Sequence, residues 1–304
     1  MTSAPQSTTP PSTGRANLIG SLWMILAMAG FAIEDSFIKA ATVFLPVAEV
    51  LVIFGAGGAL IFALIALLRK EALYSPDVIS PPMRIRVFFE ITGRLFFVLA
   101  LALTPLSSVT AILQATPIVV VLGAALLFGE KVGWRRWTAI FTGLIGVLII
   151  LRPTPESFSP LSILALLGMI GFAGRDLASR AAPPTLSAVI LGIYGFLAVV
   201  IAGGLYHLIW EKQSFVLPGP ESALYMSGAV TVGVLSYASL MKAMRTGDVS
   251  TVTPFRYSRL LFGLLLGVTV FGERLDETTL IGSAIVVLSG LFILLRSRQS
   301  SAES

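Results

Sequence analysis

The sequence predicts an all-α polytopic membrane protein, with ten transmembrane helices in two inverted five-helix repeats. Three observations carry this expectation. The 304-residue chain is 56% hydrophobic and 12% charged, with a mean hydropathy of +0.91, whereas a soluble domain carries roughly a quarter charged residues. Apolar stretches recur along it, long enough to cross a ~30 Å hydrocarbon core at about 1.5 Å per residue. The chain also repeats itself. A shift of 143 positions (271 − 128) sets Phe128-Gly129-Glu130 on Phe271-Gly272-Glu273, and Ser107, Val109 and Thr110 on Ser250, Val252 and Thr253. Nearer the start, Met28–Lys39 matches Met169–Arg180 at a shift of 141 (169 − 28), keeping Met, Gly, Phe, Ala and Asp in place. Two echoes in the same order imply two similar halves, and a repeat of this kind decides an architecture.

In chain order, residues 1–16 are rich in Ser, Thr and Pro without apolar periodicity, which predicts a disordered cytoplasmic tail. No cleavable signal peptide follows, because the apolar run from Leu18 is too long for one. The predicted spans are 17–40, 45–68, 83–103, 106–128 and 133–151 in a first repeat (17–152). The second repeat (159–296) holds 160–180, 186–209, 222–244, 249–271 and 277–296, and a short tail (297–304) ends the chain. Ser80-Pro81-Pro82, Arg152-Pro153, Ala182-Pro183-Pro184 and Pro218-Gly219-Pro220 fall between apolar runs, where helices break. The thinnest boundary is Thr104-Pro105-Leu106, between the third and fourth spans. Of 21 Lys and Arg, thirteen (Arg69, Lys70, Arg84 and Arg86 among them) fall on the side of the termini and three (Arg152, Lys212, Arg274) on the other. By the positive-inside rule both termini are cytoplasmic, in a cell (inner or plasma) membrane. An odd number of spans per half inverts the second half, placing Glu130 at the cytoplasmic surface and Glu273 at the outer one. Inverted repeats are a signature of secondary transporters that alternate access around a midplane site.

At these residues the chain resembles a known family. A helix with Thr116-Pro117 at mid-span, closed by Phe128-Gly129-Glu130 and followed by a Gly-rich apolar helix, is similar to the EamA-type repeat. Two such repeats in ten helices is the layout of the drug/metabolite transporter superfamily. The resemblance runs from about residue 17 to 296 and is strongest in 104–153 and 247–296. The branch it resembles, the aromatic amino-acid and metabolite exporters, implies outward movement of amino acids. The second repeat departs at one place: Leu260 stands where the first has Pro117, and a proline comes earlier, at Pro254. Any helix irregularity is therefore expected to differ between halves.

Ionisable residues inside spans cost about 2.5–3.5 kcal/mol each at mid-bilayer on insertion scales, so each needs a reason. They are Glu34, Asp35, Lys39, Glu49, Glu90, Arg94, Arg175, Asp176, Arg256 and Arg259. Counting along each helix puts Arg94 and Arg259 near the midplane. It puts the repeat mates Asp35 and Asp176 near opposite mouths, as quasi-symmetric gate or rim residues. Local (i, i+4) neutralisation by Lys39 and Arg180 explains the same pair without a gate, and Glu90 stands one turn before Arg94. Arg256 and Arg259 have no acid within four residues, so their partners come from other helices or from a ligand. Tyr237 and Gln114 are repeat counterparts of Arg94 and Tyr257, so spans 3, 4, 8 and 9 are expected to line one cavity.

The glycines of 55–58 and of Gly143-Leu144-Ile145-Gly146 suit close helix packing. Trp23, Trp134, Trp137 and Trp210 fall at span ends, as aromatic belts do. Phe31 and Phe172, beside the Asp pair, suit either solute stacking or packing, and the lone His207 argues against a His-based metal site. The expected function is a secondary exporter of amino acids or similar small amphipathic metabolites. An Arg would receive the carboxylate, Tyr237, Tyr257 and Gln114 would give hydrogen bonds, and aromatic residues would take the side chain. The alternative is a nucleotide-sugar or phosphometabolite carrier of the same superfamily. An intramembrane enzyme is disfavoured by the lack of HExxH, of facing Asp pairs and of a Ser–His pairing. No cofactor, metal or nucleic acid is expected. Acids inside spans permit proton coupling, and ten helices enclose a cavity within a monomer.

Overall fold

The computed structural model describes residues 13–128, 134–151, 160–246 and 253–300, and among these every regular element is helical. The first half contributes α1 (Thr13–Ala41), α2 (Val47–Leu68), α3 (Pro81–Leu103), α4 (Leu106–Leu113), α5 (Thr116–Phe128) and α6 (Trp134–Leu151). The second contributes α7 (Ser162–Arg180), α8 (Ala188–Tyr206), α9 (Pro220–Thr246), α10 (Ser258–Phe271) and α11 (Glu277–Ser300). A 3-10 segment, Thr253–Tyr257, leads into α10, and a π turn, His207–Glu211, ends α8. Helix covers each of the ten apolar stretches, and five helices are long and apolar enough to cross a membrane by length and composition. Gly129, Glu130, Ser250 and Val252, which belong to the internal repeat, lie outside the described residues.

The fourth stretch breaks at Gln114-Ala115. Pro117 lacks an N–H and its ring crowds the carbonyl four residues back, at Leu113. Thr116 Oγ1 donates to that carbonyl (2.6 Å), while Gln114 and Ala115 donate to Ala111 and Ile112 in a tightened turn. The ninth stretch changes from 3-10 to α at Tyr257–Ser258, which the 143-residue shift sets on the same break. The halves thus share the place of the irregularity and differ in its kind.

The Thr104-Pro105 boundary is a real interruption, sealed from both sides. Lys39 Nζ donates to Leu101 O (2.9 Å) and Thr104 O (2.7 Å), satisfying carbonyls at the end of α3. Glu273 accepts from Leu106 N (2.6 Å) and Ser107 N (3.0 Å), capping the start of α4. Gly272 aims that carboxylate: its φ of 61° ends α10, and Glu273 N returns to Gly267 O at 3.0 Å.

Helix contacts pair up when the halves are exchanged. α1 packs on α9 as α3 packs on α7, α1 on α10 as α5 on α7, and α2 on α9 as α3 on α8; α2–α8 and α6–α11 are each their own counterpart. The self-paired helices are antiparallel. Glu211, beyond the end of α8, accepts from Val47 N (2.9 Å) and Ala48 N (2.8 Å) at the start of α2. Glu71, beyond the end of α2, accepts from Ser187 Oγ (2.5 Å), the N-cap of α8.

Glycines set the closest crossings. Gly55 and Gly58 face Phe196 and Val200 of α8, and Gly282 of α11 meets Gly146 O of α6. At the α3–α7 crossing, a Cβ on Gly171 would lie 2.3 Å from Gly93 Cα, so backbone meets backbone. Gly171→Val should therefore force the helices apart and cost about 1–3 kcal/mol by overpacking. Gly204→Ala, where a Cβ meets nothing within 4 Å, is the control that thermal unfolding should leave unharmed. Outward faces are apolar, as at Leu60, Leu64 and Leu67, and Trp134 and Trp210 are exposed near helix ends. Trp23 stacks under Lys242 Nζ at 4.1 Å, His207 lies 4.7 Å from the Phe215 ring, and the Trp137 side chain lies outside the described residues.

Candidate functional site

Facing helices bury acids that α-helical geometry alone does not pair. Glu34 and Asp35 of α1 are each 1% exposed, and a buried charge needs a partner across the bundle. Arg94 Nη1 meets Glu34 Oε1 at 2.9 Å, and Arg259 holds Asp35 Oδ2 through Nε (3.2 Å) and Nη2 (2.5 Å). Both guanidiniums rest on rings: Arg94 over Phe54 and Phe172 (4.9 and 5.6 Å), Arg259 over Phe31 and Phe97 (5.2 and 5.7 Å).

A second layer of pairs lies one turn away along α3 and along the 3-10 segment. Arg256 Nη1 meets Asp176 Oδ2 at 3.0 Å. Arg175 holds Asp176 Oδ1 through Nε (3.1 Å) and Nη2 (2.9 Å), and its Nη1 lies 3.4 Å from Glu90. Both layers border one cavity of about 100 Å³, walled by α1, α3, α4–α5, α7, α8, α9, the Thr253–Tyr257 segment and the start of α10; of the paired residues Asp35 alone does not line it. Four buried atoms there have no hydrogen-bond partner: Glu34 Oε2, Asp35 Oδ1, Arg86 Nη1 and Arg94 Nε. The site is a mixed field of five guanidiniums and four carboxylates on an aromatic floor.

Of the residues expected from sequence, Phe31, Arg94, Gln114, Phe172, Asp176, Tyr237, Arg256 and Arg259 line this cavity. Spans 3, 4, 8 and 9 meet there as expected, joined by α1, α7 and α8. Gln114 is buried, with only a 3.4 Å bond to Thr110 O, and Tyr237 stands edge-on to Phe62. Tyr257 does not line the cavity but joins the apolar core. A 3-10 turn has three residues, so Arg256 and Arg259 share a face and residue 257 points about a third of a turn away.

The expected partners change. Asp35 pairs with Arg259 rather than Lys39, which caps α3. Asp176 pairs with Arg175 and Arg256, the Arg180 side chain lying outside the described residues. Arg94 pairs with Glu34 rather than Glu90. Asp35 and Asp176 do not sit at opposite mouths: their partners are three residues apart, about one turn. Arg86, counted with the cytoplasmic surface charges, is 1% exposed and borders the cavity. Among the described residues no three of His, Cys, Asp or Glu converge as a metal cluster would require.

The model of the EamA-like transporter family matches residues 18–152 and again 160–295. The chain belongs to the EamA-like transporter family. The double match establishes the two repeats of this EamA-like chain, and with them an integral membrane transporter. A riboflavin transporter of Vibrio cholerae is 28% identical over 286 residues, 91% of this chain and 93% of its own length. A pseudopaline exporter, CntI, of Pseudomonas aeruginosa is 26% identical over 276 residues (89% and 94%). An S-adenosylmethionine uptake transporter of Rickettsia prowazekii is 24% identical over 216 residues (70% and 70%). A solved crystal structure superposes with a TM-score of 0.62 at 20% identity, covering 95% of this chain and 99% of its own, and so shares the fold. The EamA-like relatives thus include both uptake and export proteins, all for small molecules.

Proposed function

We propose that this EamA-like chain carries zwitterionic, amino-acid-like metabolites across the cell membrane, by alternating access between two inverted five-helix repeats. The observation that carries the reading is the interleaving of guanidiniums and carboxylates around one cavity. Removing one member of a buried ion pair leaves the other uncompensated, at a cost of about 3–5 kcal/mol. A zwitterion avoids that cost by exchange: its carboxylate takes Arg256 while its ammonium takes the released Asp176. The arginines of the two layers are exposed alike, but the Asp176 side chain is 20% exposed against 1% for Glu34 and Asp35, so this is the layer whose acid a solute can reach. Phe31, Phe172 and Tyr237 would hold the solute's apolar part. A phosphorylated dianion needs two surplus guanidiniums, and the site has one, which disfavours the nucleotide-sugar or phosphometabolite reading.

The antiparallel fit of α2 on α8 and of α6 on α11 supports the inversion, because repeat mates that oppose each other need an exchange axis in the membrane plane. Relatives of both transport directions share the scaffold, and export is the direction of the amino-acid exporters that the sequence resembles. A buried acid freed by the solute also gives protons a place to bind and couple.

Counterflow in proteoliposomes tests the solute class, with labelled phenylalanine set against phenethylamine, phenylalanine methyl ester and riboflavin. Phenylalanine should exchange at least tenfold faster than the amine or the ester, each of which lacks one charge worth about 1.5–3 kcal/mol as a charged hydrogen bond. Equal rates for all three, or exchange of riboflavin alone, would sink the proposal. Orientation has its own check, on a chain without native cysteine. Arg274→Cys should react with an impermeant maleimide in intact cells, and Tyr74→Cys only after permeabilisation; the reverse pattern would overturn cytoplasmic termini.

A further inference from the structure

Among the described residues the site sets five guanidiniums against four acids, and Arg86 is the most weakly paired of the five. Glu34 is taken by Arg94, Asp35 by Arg259, and Asp176 by Arg256 and Arg175. Glu90 lies 3.4 Å from Arg175 and reaches Arg86 at only 3.7 Å. Arg86 makes one good hydrogen bond, from Nε to Ser179 Oγ at 2.9 Å, and its Nη1 has no partner. Yet Arg86 is among the most buried large side chains of the protein, 1% exposed, and it borders the cavity. A buried, half-satisfied guanidinium calls for a counter-charge.

A missing side chain lets the guanidinium come close to α8. Gly195 of α8 faces Arg86, and a Cβ there would lie 3.0 Å from Nη2 and 3.6 Å from Nη1. Gly192 and Tyr237 border the same end of the cavity. Glu90 Oε2 lies 3.7 Å from the same Cβ position, so the fork is held between Ser179, Glu90 and α8 while its Nη1 stays unengaged on a residue that borders the cavity; a free guanidinium donor of this kind can receive a small anion.

We propose that Arg86 and Gly195 form a second anion seat, taking a singly charged acidic group. That group is either a second carboxylate on the transported solute or a free inorganic anion such as chloride bound beside it. The carboxylate source rests on the zwitterion reading above, with the first carboxylate at Arg256; the chloride source does not. If the carboxylate source holds, the preferred solutes are dicarboxylic amino acids or metabolites built like them.

L-Glutamate and L-glutamine distinguish the sources, being nearly equal in shape and different by one charge. Binding is read as the shift in thermal unfolding of the full chain in detergent, in gluconate buffer and again in chloride. In gluconate the wild type should bind glutamate about tenfold more tightly than glutamine, the worth of one charged hydrogen-bonded contact. The preference should fall to near unity in Arg86→Gln, and also in Gly195→Ala, whose methyl group would press on Nη2 at 3.0 Å and displace the fork while the charge of Arg86 remains. In Glu90→Gln, which removes the nearest competing acid, the preference should rise, a gain that misfolding cannot mimic. If the occupant is the free ion, chloride raises the Tm of the wild type but not of Arg86→Gln, with no preference for glutamate. An absence of both effects in the wild type, or their persistence in Arg86→Gln, overturns the proposal. Chloride stabilisation through Arg86 with neither amino acid bound leaves the anion seat standing and removes the zwitterion reading instead.

Discussion

Arg94→Met should lower the stability of the protein by about 3–5 kcal/mol, the usual cost of orphaning one partner of a buried ion pair. Glu34 is 1% exposed, and its Oε1 would lose the 2.9 Å contact while Oε2 already lacks a partner. Asp35, next in the chain, is equally buried, so the stranded charge would also face a like charge. The double variant Glu34→Gln/Arg94→Met should recover most of the loss, because it buries no uncompensated ion and keeps an apolar stem over Phe54 and Phe172. Thermal unfolding of both proteins reads the difference. A single variant as stable as the wild type would show that this pair does not hold the bundle.

Arg256→Lys should lose at least tenfold in transport while unfolding near the wild-type temperature. Lysine keeps the charge but not the planar fork that meets a carboxylate through two parallel bonds. The fold tolerates the change because Asp176 keeps Arg175 at 3.1 and 2.9 Å. Arg259→Lys should behave differently. Both donors that Arg259 gives to Asp35 come from the guanidinium, and no second arginine is hydrogen-bonded to that acid, so stability should fall along with transport. The two arginines are alike in sequence, three residues apart without a local acid, and their partners separate them. Transport at wild-type rates in both well-folded variants would leave Arg94 as the remaining seat for a carboxylate.

Sequence periodicity and internal echo made the helices and the two repeats legible, because both are local or near-constant in spacing. The cavity was legible in outline for the same reason: the repeat mates Arg94 and Tyr237 both line it, as does Gln114, though its mate Tyr257 does not. Ion-pair partners were not legible. Arg94 finds Glu34 across 60 residues and Arg259 finds Asp35 across 224, separations on which (i, i+4) reasoning is silent. Lys39 illustrates why the local choice fails: its ammonium seals carbonyls left open where Pro105 interrupts the chain, so Asp35 is free to turn inward. Depth counted from helix starts failed for Asp35 and Asp176, since α1 begins at Thr13 and runs for 29 residues, with no fixed relation to the start of α7. Arg86 was hidden by its neighbourhood, two residues from Arg84 near a helix start. Tyr257 was misplaced because a 3-10 turn replaces the α turn that its spacing suggested. The signal available for Arg86 was its place one turn before Glu90, on the face that carries Arg94.

Alternating access requires a single cavity that opens to each side of the membrane in turn, and a cysteine at Thr116 tests this most directly. Thr116 lines the cavity beside the break between α4 and α5, and cysteine is close to threonine in size. In right-side-out and in inside-out vesicles alike, Thr116→Cys should react with an impermeant maleimide. Saturating phenylalanine, or whichever zwitterion exchanges in counterflow, should slow the reaction in both. Labelling confined to one vesicle orientation, with or without solute, would contradict alternating access around this site.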